Sequence, residues 1–326
     1  MPTKLTRRQA LALALGACSA PLPAFAAGYP DKPIRMMVAF PAGGGPDLLA
    51  RTLAEALRTT KGWNVVIMNK PGAGGNLGTG EVANAAPDGY TVLFGHVGAL
   101  AVNPTLFKQL PFDPLKDFAP VGMIATSPLV AVTGAGKPYR SLRDVLAEAE
   151  KRPGEISVGF SGSGTISHLS MTQLGSLAGV KLSFVPYKGA SQGIVDVVAG
   201  NVDVYVSSMA SLVQHVRGGK ARALAITSAA RSPELPEVAT VAEQGFPGFE
   251  AATWFGMVAP KSTPGAVVAE LNAALQAALN SPAVAEKYRT DGSVPVASTP
   301  DEFGRLLRSE TTRWGKVVRD AGVELQ

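Results

Sequence analysis

Cysteine occurs once in the 326 residues, at position 18, so no disulfide can form within the chain. No run of 18 or more apolar residues is present, which excludes an ordinary membrane-spanning helix. The three histidines, His96, His168 and His215, lie far apart and have no metal-ligand spacing. Basic runs with interleaved aromatics are missing, so no nucleic-acid partner is expected. Catalytic signatures are missing too. Ser161 and Ser163 sit in Gly159-Phe-Ser-Gly-Ser-Gly164, which is not the nucleophile-elbow pattern. Gly136-Lys137 is followed by Pro138, so there is no phosphate-binding Walker loop. Gly72-Ala73-Gly74 lacks both the spacing to Gly78 and the later acid of a dinucleotide fingerprint. The expectation is a protein that is not an enzyme and carries neither metal nor cofactor.

The chain does have apolar residues, 46% of the total against 17% charged, which allows a sizeable core and argues against disorder. Its length predicts about two domains on a prior of roughly 150 residues each. The sequence pI near 9.3 implies a basic surface only until the N-terminus is set aside. Lys4, Arg7 and Arg8 precede a short apolar segment, Leu11 to Ala17, and Ala24-Phe25-Ala26 offers small residues for cleavage. That is the layout of an export signal, and Pro21 and Pro23 would break the first helix of a cytosolic domain. Loss of residues 1–26 removes three positive charges and no acid, lowering the net charge from +5 to +2. Thr6-Arg7-Arg8-Gln9-Ala10-Leu11 is close to a twin-arginine signal, with Ala10 where a large apolar residue is usual. Leu15-Gly16-Ala17-Cys18 resembles a lipobox, so a lipid anchor at Cys18 is the alternative to cleavage after Ala26.

Strand and helix patterns then alternate. Ile34 to Phe40 reads as a buried strand, broken by Pro41-Ala42-Gly43-Gly44-Gly45-Pro46. Asp47 is expected at a helix N-cap, and Gly62 is expected to end that helix. The unit repeats as strand Val65 to Met68, a glycine loop from Asn69 to Asn76, a helix to Ala86 and strand Thr91 to Phe94. This succession implies parallel pairing with right-handed crossovers. A second lobe is predicted from the strand Leu129 to Thr133. It contains a helix over 141–151, strand Ile156 to Phe160, loop Ser161 to Thr165, strand Leu182 to Val185 and a helix from about Ser191. Strands Val202 to Val206 and Ala223 to Thr227 complete it. The chain then returns through strand Thr253 to Ala259, a helix capped by Thr263-Pro264 and a last helix from about Pro300.

Three glycine-rich loops, 41–47, 69–77 and 161–165, each join a strand to a helix. In a parallel sheet such loops lie at the carboxyl ends of the strands, where ligands bind. Glycine lets backbone N–H groups come close to a ligand, and a following helix N-terminus favours an anion. The first two loops are expected to face the third across a cleft. A branched side chain at Gly44 or Gly74 is expected to block ligand or forbid a positive φ. Tight turns alone would account for any one loop, but repetition at three equivalent positions argues for a site. His168 reads as a structural or ligand-orienting group rather than a general base. Tyr187, in Pro186-Tyr-Lys-Gly189, is placed at the cleft, and Trp254 and Trp314 read as packing residues.

At these loops the chain resembles the Bug family, the solute receptors of tripartite tricarboxylate transporters. The likeness is carried by Tyr29-Pro-Asp-Lys-Pro-Ile34, Phe40-Pro-Ala-Gly-Gly-Gly-Pro-Asp47, Asn69-Lys-Pro-Gly-Ala-Gly-Gly75 and Ala86-Pro-Asp-Gly-Tyr90. Val185-Pro-Tyr-Lys-Gly-Ala190, Arg222-Ala-Leu-Ala-Ile-Thr-Ser228, Gly245-Phe-Pro-Gly-Phe249, Trp254 through Pro264 and the Glu310 to Gly322 tail extend it over nearly the whole chain after residue 26. The resemblance implies an α/β, two-lobed periplasmic-binding-protein fold of type II, the Venus flytrap, with a hinge between the lobes. Residues 1–26 would be the signal peptide, 27–128 and 249–326 one lobe, and 129–248 the other. It also implies a periplasmic location, membrane permease subunits as partners, and a small carboxylate ligand. That ligand would be a di- or tricarboxylate, an acidic amino acid or an aromatic acid. A monomer is expected.

One ligand carboxylate would be gripped, largely by backbone N–H groups and bridging waters, at Phe40, Pro41, Ala42, Gly43, Gly44 and Asp47 and at Gly72, Ala73, Gly74 and Gly75. The far end would be read by Ser161, Gly162, Ser163, Gly164, Thr165, His168, Tyr187 and Ser207. The sequence departs from the family in two places. Pro46 stands where a small hydroxyl residue is usual before the aspartate, and Thr172 stands where Glu is frequent four residues after the histidine. Both bear on which acid binds. A sensory receptor that presents its ligand to a histidine-kinase ectodomain would have the same lobes and is the alternative reading.

Overall fold

The computed structural model describes residues 28–320; the predicted signal segment with Cys18 lies outside them. Strand β1 (Ile34–Val38) leads through the first glycine loop into α1 (Gly45–Lys61). β2 (Val65–Asn69) leads through the second into α2 (Asn76–Ala83). β3 (Thr91–His96) is buried along its whole length and runs into a π-helical turn over 98–102 and the short α3 (Asn103–Leu106). β1 pairs in parallel with both β2 and β3, as the alternating units predict.

β4 (Phe118–Gly134) is a 17-residue strand, and the expected strand over 129–133 is only its far end. Beyond it come α4 (Leu142–Lys151), β5 (Ser157–Phe160), α5 (Ile166–Ala178), β6 (Ser183–Pro186) and α6 (Ala190–Ala199). β7 (Val204–Ser208), α7 (Met209–Arg217) and β8 (Ala221–Ile226) follow. The chain returns through β9 (Ala252–Pro260), α8 (Gly265–Leu279), α9 (Pro282–Thr290), β10 (Val294–Pro295) and α10 (Pro300–Asp320). α8 starts at Gly265 with Pro264 as its cap, one residue later than the Thr263-Pro264 signal implied.

The strand order is β2-β1-β3-β9-β4-β7-β5-β6, with β8 and β10 also on β4. β4 belongs to both lobes: Phe118 to Pro128 pair with β9, and Leu129 to Gly134 with β7 and β8. Thr227, which is buried, ties the crossings together. Its hydroxyl accepts from Leu129 N (2.9 Å) and donates to Ala251 O, and its carbonyl accepts from Ala251 N (2.9 Å).

Each lobe has helices on its sheet. In the first, Met36 and Val38 pack with Leu49 and Leu53 of α1 and Leu271 and Leu275 of α8. In the second, Val130 and Val132 pack with Ile194, Tyr205, Leu212 and Val213. A third cluster spans both lobes and includes Trp254, Phe303 and Trp314. Both indoles donate to the Glu310 carboxylate (3.0 and 2.9 Å), so the two tryptophans are packing residues with a shared acceptor.

The topology brings particular strand ends together. β1 and β3 are parallel, so the carboxyl ends of both lie on one edge. β9 is antiparallel to β3, so its amino end arrives there. β5 is parallel to β6 and β7, and the carboxyl ends of all three face that edge from the other lobe.

Candidate ligand-binding cleft

The first wall is built by the loops after β1 and β2. α1 begins at Gly45 with Gly44 as its cap, so Asp47 lies in the first turn instead of at the N-cap. Its buried carboxylate accepts from Gly43 N, Arg51 Nε and Asn69 Nδ2, each at 2.9 Å. Burial would raise its pKa, but the bonds from Arg51, Gly43 and Asn69 outweigh this and hold it below the usual carboxylate range. Asn69 Nδ2 also donates to Phe40 O at 3.0 Å, which pins the two loops to each other. The acceptor capacity of Asp47 is thus directed at the protein.

Gly74 has φ 63, and a Cβ there would lie 2.7 Å from Ser163 O of the opposite lobe. Both the backbone conformation and the close approach require glycine. Gly44 has φ −81, which any residue adopts, and a Cβ there would meet nothing nearer than 3.6 Å. The expected positive φ at Gly44 is therefore corrected; the crowded neighbour is Gly45, whose Cβ would lie 2.6 Å from Ser211 Oγ. Among the described residues, no acceptor takes the N–H groups of Gly44, Ala73 or Gly74.

The second wall is made of hydroxyls. Ser161 Oγ bonds to Tyr205 Oη (2.6 Å) and Ser207 Oγ (3.0 Å). Thr165 Oγ1 bonds to Ser167 Oγ (2.8 Å) and to Gly162 O (2.8 Å), and Ser208 pairs with Ser211 (3.1 Å). Behind them, His168 stacks on Phe160 with ring centroids 4.5 Å apart and meets Phe184 edge-on. Its Nδ1 accepts from Gly164 N at 3.4 Å. Burial pushes its pKa down to about 4, so it is a neutral prop for the loop. The Tyr187 hydroxyl donates to Asp196 (2.8 Å); burial first, then this bond, pushes its pKa up to about 12.

The walls enclose two adjoining cavities that share Phe40 and Ser161. The outer one, about 560 Å³, is bounded by Gly72, Ala73, Gly74, Gly75 and Phe107 on one side and Ser161, Gly162, Ser163, Tyr187 and Lys188 on the other. The inner one, about 30 Å³, lies among Pro41, Gly44, Pro46, His96, Thr253 and Phe255 of the first lobe and Thr165, Ser167, Ser207, Ser208 and Ser211 of the second. The lobes touch around it: Gly45 N donates to Ser211 Oγ (3.0 Å) and the Ser191 hydroxyl to Ala42 O (3.4 Å). A larger groove of about 820 Å³, lined by Arg140, Arg143, Arg222 and Arg231 among others, shares no residue with the glycine loops.

Of the residues expected at the site, Phe40, Pro41, Gly44, the 72–75 loop, Ser161, Gly162, Ser163, Thr165, Tyr187 and Ser207 line these cavities. Ala42, Gly43, Asp47, Gly164 and His168 line neither. His96, Ser208, Ser211, Thr253, Phe255 and Lys188 line them without having been anticipated. Ser208 was within reach, since it ends a strand just as the other cleft residues do. Thr253 was not, because an antiparallel strand brings its first residues, not its last, to the cleft.

Residues 49–323 match the family described as the tripartite tricarboxylate transporter family receptor, TctC. BugT of Bordetella pertussis (strain Tohama I) is 40% identical over 306 residues, covering 93% of this chain and 94% of BugT. The periplasmic binding protein BugD has the same fold at TM-score 0.87 and 36% identity, covering 91% of this chain and all of BugD's. The structure of R. palustris Rpa4515 with adipate gives TM-score 0.87 at 35% identity, over 90% and 98% of the two chains. Among the described residues no helix is long and apolar enough to cross a membrane. The chain has the α/β periplasmic-binding-protein fold and belongs to the TctC, or Bug, family of transporter receptors, whose members bind solutes and are not enzymes.

Proposed function

We propose that the protein captures a small carboxylate in the periplasm by closing its two lobes over it, and delivers it to the membrane permease subunits of a tripartite tricarboxylate transporter. The supporting observation is the set of unpaired N–H groups at Gly44, Ala73 and Gly74, on two loops that open helices and face a wall of hydroxyls. Three such donors at helix N-termini suit one carboxylate without a charged side chain. The adipate in the R. palustris relative supports this ligand class. In this reading Phe40, Pro41, Gly44 and the 72–75 loop grip the carboxylate. Ser161, Gly162, Ser163, Thr165, Tyr187 and Ser207 meet the rest of the ligand, while Asp47 and His168 hold the loops in shape. Residues 1–26 are removed after Ala26, the lobes are 27–128 with 249–326 and 129–248, and the receptor is a monomer. The lobes rotate where β4 and the chain before β9 cross between them.

A thermal-shift screen against carboxylates tests the ligand class, since a ligand at 100 times its Kd adds about 2.7 kcal/mol of stability. Small-angle scattering should then show a smaller radius of gyration with the bound acid. A folded protein that no carboxylate stabilises would overturn the reading. Co-purification of permease subunits with the tagged receptor checks delivery, and N-terminal sequencing of periplasmic protein should begin at Ala27.

A further inference from the structure

The lobes meet through glycines. A Cβ on Gly164 of the second lobe would lie 2.5 Å from Asn103 Oδ1 and 2.6 Å from Leu106 Cδ2 of the first. One on Gly189 would lie 2.6 Å from Cδ and 2.7 Å from Cγ of Pro41. From the first lobe, a Cβ on Gly45 would lie 2.6 Å from Ser211 Oγ and 3.0 Å from Ser211 N, and one on Gly74 would meet Ser163 O. Unstrained carbon contacts lie at roughly 3.5–4.0 Å, so a side chain at any of these positions collides with the opposite lobe.

Gly74 and Gly164 have φ 63 and 80, a backbone that favours glycine whatever the lobes do. Gly45 and Gly189 differ. Gly189 has φ 175, extended backbone open to every residue. It also caps α6, but serine caps a helix at least as well. Gly45 is the first residue of α1, where glycine weakens the helix taken alone, since it loses the most conformational freedom on folding. The atoms that crowd both positions belong to the opposite lobe. They are a rigid pyrrolidine ring at Pro41 and a main-chain nitrogen at Ser211, neither of which can swing aside as a long side chain would. Neither Gly45 nor Gly189 lines the cavities.

Resting on the reading of two lobes that close over a ligand, we propose that Gly45 and Gly189 are positioning residues for closure. They touch no ligand, and their missing side chains set how far the lobes come together. A Cβ at either position shifts the equilibrium towards the open form. It lowers affinity for every ligand by one common factor, because the competent state is populated less.

Cross-linking reads closure without a ligand. Residues 27–326 contain no cysteine, so Ala42→Cys with Ser191→Cys puts one thiol on each lobe where Ser191 Oγ lies 3.4 Å from Ala42 O. A short bismaleimide should join them at a rate that follows the closed population. Gly189→Ser should slow this reaction roughly tenfold or more, and Gly45→Ala likewise. Pro41→Ala removes the ring atoms that the new Cβ would meet, and in that background Gly189→Ser should change the rate by less than about threefold. Gly265→Ala, at the start of α8 where a Cβ would meet nothing within 4 Å, should leave the rate unchanged. Circular dichroism shows each variant folded. Calorimetry with adipate, malate and citrate then reads affinity. Each acid that binds the wild type should bind Gly189→Ser roughly tenfold more weakly or worse, by a shared factor. If Gly189→Ser and Gly45→Ala cross-link at the wild-type rate, or the loss falls on one acid and spares another, the closure assignment fails. If no acid binds the wild type while the cross-linking rates fall as stated, the carboxylate reading fails and the closure assignment stands.

Discussion

On one side of the cleft the open donors are main-chain N–H groups of Gly44, Ala73 and Gly74. On the other the polar groups are the hydroxyls of Ser161, Thr165, Ser207 and Ser208, linked to neighbours. The first wall depends on the path of the backbone, so a side-chain change affects it only by bending a loop. The second depends on side chains, so single substitutions retune it while the fold survives. Each wall also has its own prop. Asp47 holds the first with three hydrogen bonds, and His168 holds the second by stacking.

That contrast can be broken at the props. Asp47→Ala leaves Gly43 N–H and Asn69 without their acceptor and should destabilise the protein by about 3 kcal/mol in urea denaturation. Ser207→Ala, on the other wall, should lose only about 1 kcal/mol; equal losses would erase the distinction.

Acid should separate the walls next. His168 and His96 have pKa values pushed down by burial, to about 4 and about 3, from 6.5. Below pH 6.5 the unfolded chain takes up protons that the folded one refuses. Stability is therefore full above pH 6.5 and falls as pH drops, by about 2 kcal/mol per histidine between pH 6.5 and 5. Asp47 has the same sign in a lower window: with its pKa lowered, its contribution persists down to the ordinary 3.8 and is lost below that. Denaturation at pH 7 and pH 5 should show about half the loss in His168→Phe; an unchanged loss would remove His168 as the source.

Within the first wall, Gly74→Val must bear a φ of 63 and meet Ser163 O, so affinity should fall at least tenfold, about 1.4 kcal/mol. Gly44→Ala, at φ −81, should stay within about threefold by calorimetry. The smallest effect is expected from Lys188→Ala. Its side chain is exposed at the outer rim, and removing it should change affinity by less than about 0.6 kcal/mol. A larger loss there than at Gly74 would mean that side-chain charge, not the main chain, holds the anion.

The parts of this protein legible in its sequence were those with local causes. Apolar runs marked β1 to β3, Gly62 closes α1 in a left-handed cap, and Ser141 and Asp144 form the box that starts α4. α9 was not legible, because only Val284 and Tyr288 of its nine residues are buried and no stripe stands out. β10, at two residues, is too short to carry a period. Asp47 was assigned to the cap because Asp is a common capping residue; the helix instead starts three residues earlier, with Gly44 as its cap.

By itself the sequence determined that strand, glycine loop and helix repeat, and that the loops lie at the carboxyl ends of parallel strands. Period and turn stereochemistry act over a few residues and need no distant partner. Only the tertiary structure decided that His96, Ser208, Ser211 and Thr253 share a cavity and that His168 stands behind it. The antiparallel return of β9 brings Thr253 beside residues 40 to 160 positions away. Whether a buried hydroxyl or imidazole is paired depends on what the folded chain places next to it.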